Sequence, residues 1–65
     1  MGKAKLRIII MGLADTAREK ICVMGDDKAM PEVLNLKQVA EDLAVFWGCE
    51  ELEGLFADRV GVLFA

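Results

Sequence analysis

The residue types that could do chemistry in this chain are two thiols, the carboxylates, and a few lysines and arginines. The sequence contains no His, Ser or Tyr, and Thr16 is the only threonine. Without His, the chain lacks the side chain best suited to proton transfer near neutral pH. Without Ser or His, neither a serine triad nor a Cys–His pair can be assembled within one chain. The composition therefore predicts that the protein is not an enzyme.

The two cysteines, Cys22 and Cys49, are far apart in the sequence and form no Cys-x-x-Cys motif. Two thiols without His do not complete a zinc site, so we expect neither a metal nor another cofactor. Cys22 lies in the apolar run 21–24, which favours burial as a small hydrophobic side chain. Glu50 and Glu51 follow Cys49 and oppose thiolate formation. We expect two buried thiols, and a disulfide or a reactive thiol are the alternatives.

Charge is distributed unevenly along the chain. The net charge is −3, and residues 31–65 carry seven acidic side chains against two basic ones. This balance argues against binding to a phosphate backbone, which requires clustered Lys and Arg. Residues 35–44 are similar to the first helix of helix-turn-helix domains, but the acidic segment 47–53 stands where a basic recognition helix should follow. We therefore expect no direct contact with nucleic acid.

The acidic residues of the second half have two interpretations. One is a solvated surface, which is the usual role of such a run. The other is imitation of a row of phosphates, which would make the chain an inhibitor of a DNA-binding protein. The residues of this predicted acidic face are Glu41, Asp42, Glu50, Glu51, Glu53 and Asp58.

The first third of the chain predicts β-structure. Leu6–Met11 is nearly continuous in apolar residues and is bounded by Gly12, which is typical of a buried strand. A second strand is predicted for 19–24. The alternative there is a helix over 14–24, with Thr16 and Glu19 as a capping box and Gly25 at its end. Residues 25–28 read as a loop, with Pro31 on its far side.

The second half predicts one long helix followed by shorter elements. A helix is predicted over 34–48, with Asn35 as N-cap, Gln38 completing a capping box and Gly48 as the residue that follows its end. A short helix over 50–57, a turn at 58–59 and a closing strand over 60–65 come next. The apolar side of the long helix consists of Leu36, Val39, Ala40, Leu43 and Trp47.

The expected architecture is a single α+β domain spanning 1–65, with ββαβ order and one amphipathic helix on a three-stranded sheet. Hydrophobic residues make up 55% of the chain. A domain this small buries only about 60% of its unfolded surface, so an excess of apolar residues indicates a partner. We expect an accessory or inhibitor protein that binds itself or a larger protein by pairing of apolar strand edges. The predicted interface residues are Ile8, Ile10, Met11, Trp47, Val60, Val62 and Phe64.

The expected location is the cytoplasm. The sequence shows no early apolar run that ends in a small-residue cleavage site. It also shows no window of about 18–20 apolar residues that would span a bilayer, so we expect no membrane contact.

Overall fold

The computed structural model of the protein describes residues 2–61, and every regular element in that range is helical. Helix α1 spans Lys3–Met24 and helix α2 spans Asp26–Phe46. A 3-10 turn at Glu50–Leu52 leads into the short helix α3, Leu55–Val60. Residues 2–61 contain no strand, so the predicted α+β fold with a three-stranded sheet is wrong. The fold is a small helical bundle.

Helix α1 replaces both predicted strands. A strand would place Leu6, Ile8 and Ile10 on one face, because its side chains alternate with a period of two. In the structure Leu6 and Ile10 are fully buried while Ile8 is 69% exposed, as a helix requires. The strands predicted at 6–11 and 19–24 are therefore wrong. The Thr16 hydroxyl donates to the Gly12 carbonyl at 3.0 Å, so Thr16 lies within the helix and does not cap it.

A single glycine joins α1 to α2. Gly25 has φ 85° and ψ 160°, a combination that is accessible almost only to glycine. The Gly25 amide donates to the Ile21 carbonyl at 2.9 Å, so Gly25 ends α1 as the helical alternative predicted. The loop expected over 25–28 is wrong beyond Gly25, because Asp26 and Asp27 form the first turn of α2, where negative charge favours a helix. Pro31 lies inside α2.

The predicted long helix exists, but it starts earlier than expected. Asn35 lies in the middle of α2 and is not its N-cap. The predicted end is confirmed, since α2 stops at Phe46 and Gly48 has φ 70°. Backbone hydrogen bonds from Gly48 to Val45, at 3.1 Å, and from Cys49 to Ala44, at 2.8 Å, form a Schellman motif around that glycine.

The last described element is helical where a turn and a strand were expected. The predicted helix over 50–57 is split into the 3-10 turn and α3. The turn predicted at 58–59 is wrong, because both residues belong to α3. Val60 is the last residue of α3, so the strand predicted from residue 60 does not begin there, and residues 62–65 lie outside the described range.

The core lies between α1, α2 and α3. Its largest fully buried side chains are Leu6, Ile10, Val33 and Phe56. Alanine makes up five of the eight buried positions of the two long helices. These buried alanines are Ala14, Ala17, Ala29, Ala40 and Ala44. Helix α3 packs mainly on α1, to which the Arg59–Asp15 ion pair also ties it at 3.1 Å.

Candidate protein-binding surface

One side of α2 exposes a row of apolar side chains. Leu36, Val39, Leu43 and Phe46 follow one another at spacings of three and four residues, which places them along one flank of a helix. Val39 is 46% and Phe46 77% exposed, while Leu36 and Leu43 are half-buried at the edge of the core. This flank is therefore apolar, and Val39 and Phe46 are its most solvent-exposed members.

A matching row runs along α1. Lys5, Ile9, Gly12, Thr16 and Glu19 also follow one another at spacings of three and four. Ile9 is half-buried and the other four residues are exposed. Lys5 and Glu19 flank its uncharged middle, and the same spacing continues beyond Glu19 to Val23, which is 79% exposed.

The two rows lie on the same side of the α1–α2 hairpin. Lys20 directly follows Glu19 in α1, and its Nζ lies 3.6 Å from the Glu32 carboxylate, four residues before Leu36 in α2. Helix α3 packs on the other flank of α1, which carries Arg7 and Asp15. Helix α3 therefore leaves this side uncovered. We call the two rows together the hairpin face.

The predicted interface residues do not lie together on one surface of the structure. Ile10 is fully buried and Val60 only 8% exposed, so both belong to the protein's own core. Ile8 is 69% exposed and Met11 half-buried on α1. Strand pairing, the predicted mode of contact, is wrong for the described residues, because none of them forms a strand: Ile8 and Met11 lie on α1, and Trp47 follows the end of α2. Val62 and Phe64 lie outside the described range.

An aromatic pair stands at one end of the hairpin face. Trp47, another predicted interface residue, is 39% exposed. Its ring meets the Phe46 ring edge-on, with centroids 5.1 Å apart and planes at 83°. The sequence places Val39 and Leu43 on the apolar side of the predicted helix, and Phe46 is not among the predicted interface residues. The 3–4 spacing of residues 36–46 is the signal that identifies the second apolar row.

The two thiols lie closer to solvent than expected. Cys22 is exposed, so its predicted burial is wrong, and Cys49 is half-buried. The two sulfur atoms are not joined in a disulfide. The Cys49 Sγ lies 3.7 Å from the Trp47 carbonyl oxygen, to which the thiol donates a weak hydrogen bond.

The predicted acidic face is interrupted by cations. The Glu41 carboxylate pairs with Lys37 at 3.2 Å, and the Glu51 carboxylate pairs with Lys3. Asp42 accepts a hydrogen bond from Gln38 at 2.8 Å. The remaining members, Glu50, Glu53 and Asp58, are exposed.

The pKa of one carboxyl group responds to its partner. The hydrogen bond from Lys3 lowers the pKa of Glu51 below its ordinary value, and a backbone hydrogen bond and the charge of Lys3 act in the same direction. A lowered folded-state pKa contributes stability above the unfolded pKa, and this contribution is lost as the pH falls through the folded value. Because Glu51 is exposed, the stabilisation is small.

The substitution Lys3→Met is expected to raise the pKa of Glu51 toward its ordinary value. The reason is that methionine removes both the hydrogen bond and the positive charge. An NMR titration of the Glu51 side-chain carboxyl group measures the change. Lys5→Met is the matched control, because Lys5 is exposed and lies on the hairpin face. An equal rise in both variants would contradict the direct Lys3–Glu51 contact.

The described residues contain neither a metal-binding cluster nor a membrane-spanning helix. Within 2–61 there is no group of three Cys, Asp or Glu side chains that could hold a metal ion. In the same range, no buried side-chain nitrogen or oxygen lacks a hydrogen-bond partner. The described helices include none with the length and apolar character needed to cross a membrane. Comparison of the chain with known protein families, curated protein sequences and solved structures found no match.

Proposed function

We propose that the chain is a cytoplasmic, non-enzymatic protein-binding module that docks through the hairpin face. The observation that carries this proposal is the exposure of Val39 and Phe46 beside the half-buried Leu36 and Leu43. Single exposed apolar residues are normal on a protein surface, but a contiguous row of them marks an interaction site. Covering a Val or Phe side chain contributes roughly 1.5–3 kcal/mol when it is fully removed from water.

The composition of the face supports protein contact more than contact with a small ligand. Interface centres are enriched in aromatic residues and depleted in charge. The α2 row is uncharged from Leu36 to Phe46, and Trp47 adds a second aromatic ring. The rows lie on two long helices, so they present a rigid surface into which a partner helix can pack.

The arrangement of charges favours this function over imitation of nucleic acid. A phosphate mimic needs a row of unpaired negative charges, whereas Lys37 and Lys3 neutralise Glu41 and Glu51. Salt separates the two functions experimentally. Binding through apolar contacts changes little as ionic strength rises, while binding of an acidic face to a basic groove weakens steeply.

Site-specific photo-crosslinking tests the proposed function. Phe46 is replaced by the photoreactive residue benzoylphenylalanine, and the full chain is irradiated in the producing cell. We expect one dominant protein adduct, identified by mass spectrometry as either a second copy or one other protein. Adding Val39→Lys should abolish the adduct, because it places a charge in the middle of the apolar row.

Gln38 provides the matched control position. Its side chain is exposed on α2 but lies off the apolar row, and it donates a hydrogen bond to Asp42. Benzoylphenylalanine at position 38 should give no such adduct. Absence of a protein adduct at position 46, or equal adducts at 38 and 46, would contradict the proposal.

A further inference from the structure

We propose that the occupant of the hairpin face is a second copy of this chain. The two copies are related by a two-fold axis that runs perpendicular to the helices and passes α1 at Gly12, so α1 of one copy packs antiparallel on α1 of the other. This inference rests on the proposed function and names the partner. Most homo-oligomers are two-fold dimers in which one surface meets itself, so the surface must be complementary to itself. Both its charges and its shape have this property.

The charges of the α1 row are self-complementary. Lys5 and Glu19 each lie seven residues from Gly12, on opposite sides of it. A two-fold axis at Gly12 brings Lys5 to the same height as Glu19 of the partner subunit, about 10 Å from the axis. Symmetry makes this pair twice. Within the described residues neither Lys5 nor Glu19 has an ion-pair partner of its own.

The crossing point has the shape that close helix packing needs. Gly12 is exposed, and a Cβ built there would meet nothing within 4 Å. A residue without a side chain at the crossing point lets two helix backbones approach closely. The space in front of Gly12 is therefore available to the same residue of a second copy.

The same two-fold axis also passes the middle of the apolar row of α2. Because Gly25 alone joins the two antiparallel helices, residues of α1 and α2 that are about equally far from Gly25 in the sequence lie side by side. The ion pair between Lys20 and Glu32 is consistent with this alignment. Val39 consequently lies beside Gly12, close to the axis. Leu36 and Leu43 lie on either side of Val39, so the partner subunit covers both. The result is a four-helix arrangement that covers the apolar row of α2 and pairs Lys5 of each copy with Glu19 of the partner subunit.

The other way of pairing two hairpin faces is electrostatically worse. A two-fold axis parallel to the helices would pack α1 of one copy on α2 of the other at equal heights. Glu19 would then face Glu32 of the partner subunit, and like charges at an interface oppose association. The antiparallel arrangement about Gly12 avoids this contact.

Charge reversal tests the register. Sedimentation equilibrium of the full wild-type chain is expected to give twice the 7.1 kDa chain mass. Lys5→Glu or Glu19→Lys alone turns two attractions into two repulsions and should weaken the dimer about tenfold. The double variant Lys5→Glu/Glu19→Lys exchanges the two charges and should restore the wild-type dissociation constant to within about threefold. A double variant at least as weak as the two single effects combined would overturn the proposal.

A steric variant tests the crossing point without damaging the chain's own fold. Gly12→Leu adds a side chain in open space and favours the helix, so its melting temperature as a monomer should not fall. It should nevertheless be monomeric, because the leucines of the two copies collide. Ala4→Leu, another exposed position of α1, is the control and should remain dimeric. A dimeric Gly12→Leu variant would overturn the proposal.

The outcomes separate this inference from the proposed function. A monomeric wild-type chain whose Phe46 adduct contains another protein overturns the dimer and leaves the protein-binding function standing. A monomeric chain without an adduct overturns both.

Discussion

Replacing Phe56 with alanine is expected to destabilise the protein by about 3–5 kcal/mol, which is typical for truncation of a buried aromatic residue. Phe56 is fully buried and belongs to α3, whose contacts are mainly with α1. A chain of 65 residues has a total stability of only about 3–10 kcal/mol, at roughly 0.05–0.15 kcal/mol per residue. The substitution therefore removes about a third or more of the total free energy of unfolding, and the urea midpoint should fall accordingly.

Urea denaturation followed by circular dichroism measures the effect of Phe56→Ala. The matched control is Val45→Ala, since Val45 is 57% exposed and lies off the hairpin face. That variant should stay within about 0.5 kcal/mol of wild type. Similar losses in the two variants would show that α3 is not seated on the core through Phe56.

Replacing Gly25 with alanine is expected to cost about 1–3 kcal/mol, because its φ of 85° and ψ of 160° are almost inaccessible to a residue with a Cβ. The single connecting residue gives the hairpin no second position that can absorb this change. A Cβ at Gly25 would meet nothing within 4 Å, so the cost is conformational and not a clash. The denaturation midpoint should therefore fall although no side-chain contact is lost.

The same substitution at Gly54 should act in the opposite direction. Gly54 precedes α3 with φ −82° and ψ −8°, which alanine adopts readily, and it also has open space at its Cβ position. Gly54→Ala restricts the unfolded chain and should stabilise the protein by about 0.4–1 kcal/mol. Equal midpoints for the two variants would contradict the strained conformation at Gly25.

The end of α2 could be predicted from the sequence because its signals are local. Gly48 follows a clear helical period, and its positive φ closes the helix as expected. The start of α2 could not be found in this way. Asn35 and Gln38 match a capping box, but nothing local shows that the helix already runs through Pro31. Packing of Ala29 and Val33 against α1 stabilises those earlier turns.

The first half of helix α1 could not be predicted from the sequence, because a short β-rich segment outweighs a longer helical pattern. Ile8, Ile9 and Ile10 favour a strand when they are taken alone. The helical spacing that decides the structure is that of the buried residues Leu6, Ile10, Ala14 and Ala17. Alanine is weakly hydrophobic, so Ala14 and Ala17 do not stand out as core residues until a partner helix is known.

The candidate site was predictable in kind but not in its members. The excess of apolar residues in the sequence indicates a binding surface, and the structure has exposed apolar residues such as Val39 and Phe46. Their positions depend on the secondary structure, because a change of period from 2 to 3.6 moves residues to different faces. Ile10 thereby moved into the core, and Val39 moved from the expected core to the surface.

The short length of α3 has a consequence for the dynamics of the bundle. Six residues are far too few for a helix to persist alone, since nucleation of a helix is unfavourable and short isolated helices are marginal. Helix α3 is therefore stable only while it packs on α1, and it unfolds when its contacts with α1 are lost. We therefore expect residues 55–60 to unfold locally before the bundle unfolds as a whole, and their amides to exchange with solvent before those in the middle of the two long helices.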